Sequence, residues 1–267
     1  QHCGPQSLGY PHAAGLRSPS DIPAKGMQLA MYRGSGPYAR PTAMTLDEIA
    51  QVRGSFVDAA LRARAAGFEG VEIHGANGYL LDAFLTDYLN RRQDRYGGTP
   101  ENRVRLLVEV ARDVREAVGD GFVVGIRISQ GKVSDPDHQW GGGVDEAGAI
   151  FGALADSGVD YIHTTEWTAN APAFPDEDPA SLAALATRFA PGLTVIANGH
   201  IDTGAAASVL VGSGQADLVA IGKAALSNRD WPLRVRDDRE IAEPFSPRDF
   251  GDLTVVRDWE LDATTLL

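Results

Sequence analysis

Thr45-Leu46-Asp47-Glu48-Ile49 opens a segment in which Ile49, Val52, Phe56, Ala60 and Leu61 recur at helical spacing until Gly67, and Gly70-Val71-Glu72-Ile73-His74 follows directly. Thr45 with Glu48 three residues on is a capping-box pattern, and the glycine marks the stop. The run Gly70–His74 reads as a strand. One helix feeding one short strand is half of a parallel βα repeat, because parallel strands need a crossover between them.

The same rhythm continues outward. Thr99-Pro100-Glu101 places proline at a first helical position, with Val104, Leu107, Val108, Ala111 and Val114 as the buried stripe, and strand Phe122–Ile128 follows. A helix over Asp145–Ser157, strand Val159–Thr164, helix Pro179–Ala190, strand Leu193–Asn198, a helix from about Thr203 to Ser213 and strand Asp217–Ile221 complete five units. Val123-Val124, Val195-Ile196 and Leu218-Val219 are continuous apolar pairs, as expected for strands covered on both faces. This predicts an α/β fold of the TIM (β/α)8-barrel type. A doubly wound sheet is the alternative, but no G-x-G-x-x-G follows any strand, and polar residues cluster just past the strand C-termini, where barrel enzymes keep their chemistry. Eight units are needed and five are legible. Residues 1–44, rich in Gly, Pro and Ser, read as a loop-rich segment and residues 236–267 as a C-terminal tail, so a single domain over 1–267 is expected to begin partway round a barrel.

The 267 residues carry 24 basic and 36 acidic side chains, a net charge of −12, which argues against nucleic-acid or anionic-membrane partners. No apolar run approaches the roughly 20 residues of a membrane helix, and no signal-like segment opens the chain, so a cytoplasmic location is expected. The one cysteine, Cys3, cannot by itself support an internal disulfide or the thiolates of an iron–sulfur cluster.

His74-Gly75-Ala76-Asn77-Gly78-Tyr79 brings three hydrogen-bonding side chains to one strand end. His and Asn can donate to a carbonyl oxygen and a phenol can give up a proton. By itself, a histidine closing a strand is as readily a satisfied polar residue. Arg127 sits where a purely structural strand would take an aliphatic residue, with a buried ion pair to a carboxylate such as Glu72 as its structural reading. Asn198-Gly199 and Gly222-Lys223 are strand-end turns whose glycines either expose N–H groups to a phosphate or only end strands. Thr164, Thr165, Glu166 and Trp167 follow another strand and could line a pocket. Asp135, Asp137 and His138 suggest a metal cluster without a fourth ligand, so solvent exposure is the better expectation. Arg91, Arg92, Asp94 and Arg95 look like a charged structural turn.

The stretch from Gly67 to Leu85, followed by Asn90 to Arg103, resembles the signature of the Old Yellow Enzyme family, flavin-dependent ene-reductases on a TIM barrel. The resemblance continues through Val124–Ser129, Ile196–Gly199 and Asp217–Lys223, and covers residues 40–235. It implies FMN as cofactor, NAD(P)H as reductant and an enone or enal as small-molecule substrate. The histidine and asparagine matching His74 and Asn77 then grip the substrate carbonyl, and Tyr79 matches the proton donor. Trp167, from its position alone, reads equally as a lining residue of the substrate pocket or as a simple loop aromatic. Arg127 matches the residue facing the flavin N1/O2 edge, and Asn198, Gly199, Gly222 and Lys223 match the phosphate loops. His200 and Lys223 depart from the family's usual Gly and Arg. His2-Cys3-Gly4 resembles the end of the family's third strand, which implies that the flavin contacts of the preceding strands lie outside this sequence. Two other readings stand beside the enzyme: a catalytically silent partial barrel that needs another chain or a homo-oligomer to complete it, and a phosphate-binding lyase or isomerase using His74 as base.

Overall fold

The computed structural model describes residues 3–7, 15–29 and 34–242. Residues 17–44 supply two short parallel strands, β1 (Arg17–Ser18) and β2 (Thr42–Ala43). The βα series then runs α1 (Leu46–Ala65), β3 (Gly70–Asn77), α2 (Leu80–Leu85), α3 (Pro100–Val118), β4 (Val123–Lys132), α4 (Gly143–Ala155) and β5 (Tyr161–Thr165). After it come β6 (Pro172–Phe174), β7 (Asp178–Ser181), α5 (Leu182–Phe189), β8 (Thr194–Asn198), α6 (Gly204–Gly212), β9 (Leu218–Val219), α7 (Lys223–Ser227) and α8 (Trp231–Arg236). The five strands expected from the sequence form one parallel sheet in the order β3-β4-β5-β8-β9, an arc of a barrel with helices on its outer face.

Local chemistry explains most boundaries. Thr45 accepts the Glu48 amide at 3.1 Å while the Glu48 carboxylate accepts the Thr45 amide at 2.8 Å, so α1 starts on a complete capping box. In α3 the stripe Val104, Leu107, Val108, Ala111 and Val114 is buried as expected, together with Leu106 and Val110. A buried Leu or Val is worth about 1.5–3 kcal/mol, so α3 is anchored mainly by that face.

Four expectations need correction. β3 and β4 run on to Asn77 and Lys132, past a register irregularity between Gly75 and Asn77, so His74 and Asn77 lie on the sheet while Tyr79 N-caps α2 beyond it. The helix expected from Pro179 begins at Leu182, because the Ser181 hydroxyl caps it by accepting the Ala184 amide. Residues Asp178–Ser181 instead pair antiparallel with Pro172–Phe174. The last strand keeps only Leu218–Val219, although the Asp217 and Ala220 amides still reach the Val195 and Ala197 carbonyls. The apolar pairs are not covered on both faces: Val124 and Val195 are buried against helices, but Val123 and Leu218, on the inner face, are 46% and 53% exposed.

Polar side chains cluster on the first three strands of the inner face. Register places His74, Arg127, His163, Ile196 and Leu218 in one row across the five strands, with Glu72 and Tyr161 in the row below. The opposite face presents Ile73, Ile126, Ile162 and Ala197 to the helices.

Candidate active site

The sheet row fixes the first group. His74 is half-buried on β3 beside Arg127 of β4, and its ring centroid lies 5.3 Å from that of Tyr79. Burial, then the positive charge of Arg127, lowers the His74 pKa to about 4, so the imidazole is neutral at physiological pH and offers one N–H and one acceptor. Arg127 does not pair with Glu72. Its Nη2 donates to Thr165 Oγ1 at 2.9 Å and Asn198 Oδ1 at 3.1 Å, while its Nε is buried without a hydrogen-bond partner. Glu72 instead meets His163 Nδ1 at 2.8 Å and accepts from the Tyr161 hydroxyl at 3.2 Å. Burial pushes the Glu72 carboxyl upward, but the His163 bond and the nearby charges outweigh it and leave its pKa below the usual value.

Asn77 adopts a left-handed backbone, φ 64°, which asparagine tolerates better than most residues. It lines a pocket of about 330 Å³ with Lys132, Val133, Thr165, Glu166 and Trp167. His74 does not line that pocket, so the structure places Asn77 and Trp167 in one cavity, His74 and Arg127 on the sheet, and Tyr79 at the N-cap of α2. Glu166 also borders an adjoining pocket of about 280 Å³ with His138 and Gln130. Its carboxyl accepts the Gln130 amide at 2.7 Å, yet burial pushes its pKa up to about 7. Sequence reasoning gave Glu166 only a lining role, and its titration arises from packing that no local motif announces.

Asn198, Gly199, Gly222 and Lys223 lie at the ends of β8 and β9. Asn198 joins Thr165 and Ala220 by hydrogen bonds of 2.7 and 2.8 Å, so it is tied to Arg127 through a shared network. Gly199, φ 141°, lies so close to the β5 loop that an added Cβ would come 2.2 Å from the Glu166 carbonyl oxygen. Gly222 faces open space. Trp167, 72% exposed, packs edge-on to His200 at 4.9 Å and beneath the Lys223 ammonium at 6.0 Å, linking the two candidate groups. His200 holds a left-handed φ of 46°, a conformation that glycine adopts without steric cost.

Two side readings resolve. Among the described residues no group of three metal-ligating side chains forms. Asp135 pairs with Lys25 at 2.9 Å, and the His138 side chain is buried rather than solvent-exposed, with Nδ1 on the Gln130 carbonyl. Arg92 pairs with Asp94 at 2.6 Å and donates to the Pro19 and Met44 carbonyls, so that turn ties the N-terminal segment to the connection between α2 and α3. His2 lies outside the described residues.

Residues 2–242 match the model of the NADH:flavin oxidoreductase / NADH oxidase family. The chain belongs to that family. It is 35% identical over 251 residues to a flavin oxidoreductase of Emericella nidulans, covering 85% of this chain and 61% of that protein. Among solved structures it resembles the old yellow enzyme homologue from Zymomonas mobilis, with TM-score 0.74 and 27% identity over 90% of this chain and 68% of the other. It also resembles morphinone reductase in complex with tetrahydroNAD, with TM-score 0.73 and 31% identity over 88% of this chain and 62% of the other. The Old Yellow Enzyme resemblance read from residues 67–103 is borne out, and with it a family that uses FMN and a nicotinamide reductant. The described residues fit a flavin in one specific respect: Arg127 keeps a buried donor unspent on the inner face, beside His74. Among the described residues no helix is long and apolar enough to cross a membrane.

Proposed function

We propose that this chain is an FMN-dependent ene-reductase, which takes hydride from NAD(P)H and reduces the C=C bond of α,β-unsaturated carbonyl compounds. FMN, when bound, supplies the hydride-transfer chemistry. Arg127 would hold the flavin through its unspent Nε donor, and Asn198, Gly199, Gly222 and Lys223 would hold its phosphate end. Lysine serves there as a point charge rather than as a planar fork. His74 and Asn77 would donate to the substrate carbonyl oxygen, where enolate charge develops, as a fixed pair of oxyanion-type donors. Tyr79 would deliver the proton to the α-carbon. Trp167 and Glu166 would wall the substrate pocket.

The observation that carries this reading is the half-buried His74 ring 5.3 Å from the Tyr79 ring and in register with Arg127 on the neighbouring strand. A neutral ring can donate to a carbonyl without being drawn into an ion pair with Glu72, which His163 already occupies. The test is reduction of cyclohexenone by NADPH or NADH with FMN supplied. Nicotinamide oxidation that stays the same with and without the enone would refute the reading.

One observation favours a second reading, a partial barrel inactive until another chain completes it. Strands β3 and β9 each have one partner in the five-stranded sheet, and a pocket of about 320 Å³ lined by Phe56, Phe68 and Val71 opens along β3. Solution mass with flavin stoichiometry separates the two. A monomer holding one FMN per chain and turning over enone excludes the second.

A further inference from the structure

The Asn77 turn is held by a buried ion pair that the proposed mechanism does not use. Lys132 Nζ and Asp82 Oδ1 meet at 2.6 Å with both side chains fully buried. Asp82 lies in the first turn of α2 and Lys132 at the end of β4, where it pairs in register with Asn77. The second Asp82 oxygen accepts the Gly78 amide at 2.5 Å.

The Asn77 backbone is held by uncharged partners. The Asn77 amide donates to Ser129 Oγ at 2.8 Å, and the Asn77 carbonyl accepts from Gln6 Nε2 at 2.7 Å and the Val133 amide at 3.2 Å. Only the Gly78 amide relies on a charged acceptor. Asn77 and Gly78 are consecutive left-handed residues, φ 64° and 80°, a conformation that both residue types adopt at low cost, so what the surroundings fix is the turn's placement. An added Cβ on Gly78 would come 2.1 Å from Gln6 Nε2, so the position is closed from the other side as well.

A buried ion pair adds little net stability compared with well-packed apolar residues of the same size, because both charges lose their hydration. We infer that Asp82, anchored by Lys132, is a positioning residue: by holding the Gly78 amide it sets the turn that aims the Asn77 amide and the Tyr79 phenol at the substrate. The role in substrate binding rests on the ene-reductase reading, whereas the hold on Gly78 does not.

Two double variants separate positioning from packing. Asp82→Leu/Lys132→Met removes both charges and the Gly78 acceptor, while Asp82→Asn/Lys132→Met removes both charges but leaves an amide carbonyl in the acceptor's place. In the FMN-supplied protein, the Leu/Met variant should lose roughly tenfold or more in affinity for para-hydroxybenzaldehyde, and its Gly78 amide should exchange roughly tenfold faster or more, with FMN affinity unchanged. The Asn/Met variant should retain both properties. Equal behaviour of the two variants, or unaltered Gly78 exchange in the Leu/Met variant, would overturn the inference. Should the Leu/Met variant fail to fold, the wild-type Gly78 amide proton decides: a short bond to carboxylate moves it far downfield, and an ordinary shift overturns the hold. A wild type that binds no phenol would refute the ene-reductase reading and leave the amide result to decide the positioning role.

Discussion

Replacing Glu166 by Gln should make the protein more stable at pH 8 and leave it unchanged near pH 4.5. The carboxyl accepts the Gln130 amide at 2.7 Å and feels the Lys132 charge, both of which favour ionisation. Burial outweighs them and, with Asp82 nearby, raises the pKa from 4.5 to about 7. Between those values the folded state holds a proton that the unfolded chain has released. The associated stability is fully present below pH 4.5 and is lost as pH rises through 7. A rise of that size corresponds to roughly 3 kcal/mol by pH 8, and water at the pocket mouth brings the expected difference to about 1–3 kcal/mol. Glutamine keeps the shape and a carbonyl that can accept the Gln130 amide but has no charge to desolvate. Urea unfolding of both proteins at pH 4.5, 6 and 8 reads the effect as a widening gap between midpoints. Parallel pH profiles would refute the burial argument and return Glu166 to the status of an ordinary wall residue.

Four further outcomes test the site. His74→Ala or Asn77→Ala should each weaken binding of a phenol or enone by about 1.5–3 kcal/mol in a titration and leave FMN affinity nearly unchanged; equal losses of both would count against the assignment. Because burial holds the His74 pKa down at about 4, the His74 ring resonances should show no titration step near pH 6.5 by NMR, and a step there would contradict the burial of that ring. Tyr79→Phe should preserve nicotinamide oxidation and depress alkene reduction in stopped-flow half-reactions, so unchanged alkene turnover would remove the phenol from the mechanism. Lys223→Ala should lower FMN affinity while Lys223→Arg preserves it, as measured by flavin fluorescence quenching; an indifferent alanine variant would place the phosphate elsewhere.

What could be read from the sequence was local. The capping box at Thr45, the α3 stripe and the five β-branched runs each declare themselves within a few residues, and together they gave the parallel sheet and its order of elements. The extensions of β3 and β4 were hidden because Gly75-Ala76-Asn77-Gly78 looks like a turn, whereas its first three residues remain on the sheet across a register irregularity. The β6–β7 hairpin was hidden for a similar reason: Asp178-Pro179 resembles a helix start, and only the Ser181 cap shows where the helix begins. In the site, the residue types at 74, 77, 79 and 127 were legible, but their partners were not. Arg127 reaches Asn198 across 71 positions of sequence, and the Asp82–Lys132 pair spans 50, so neither contact leaves a local pattern.

The inner face of the sheet inverts the usual preference of a protein surface. Its polar centre is the shielded part, with His163 only 7% exposed, while the apolar Val123 and Leu218 at the margins are open to water. Donors aimed at a developing oxyanion act most strongly where water is excluded, so the centre already has the character that the proposed chemistry needs. Leu218→Lys tests whether the margin is open in solution. On the described sheet the substituted ammonium would reach water from an edge strand, where lysine is well tolerated, and stability should change by no more than about 0.5 kcal/mol. If a second copy or another segment covers this margin, the same variant buries a charge in an apolar contact, and both the unfolding midpoint and the solution mass should fall. A loss above about 2 kcal/mol in urea unfolding would therefore show that the margin is covered and that the arc is closed by something beyond its five strands.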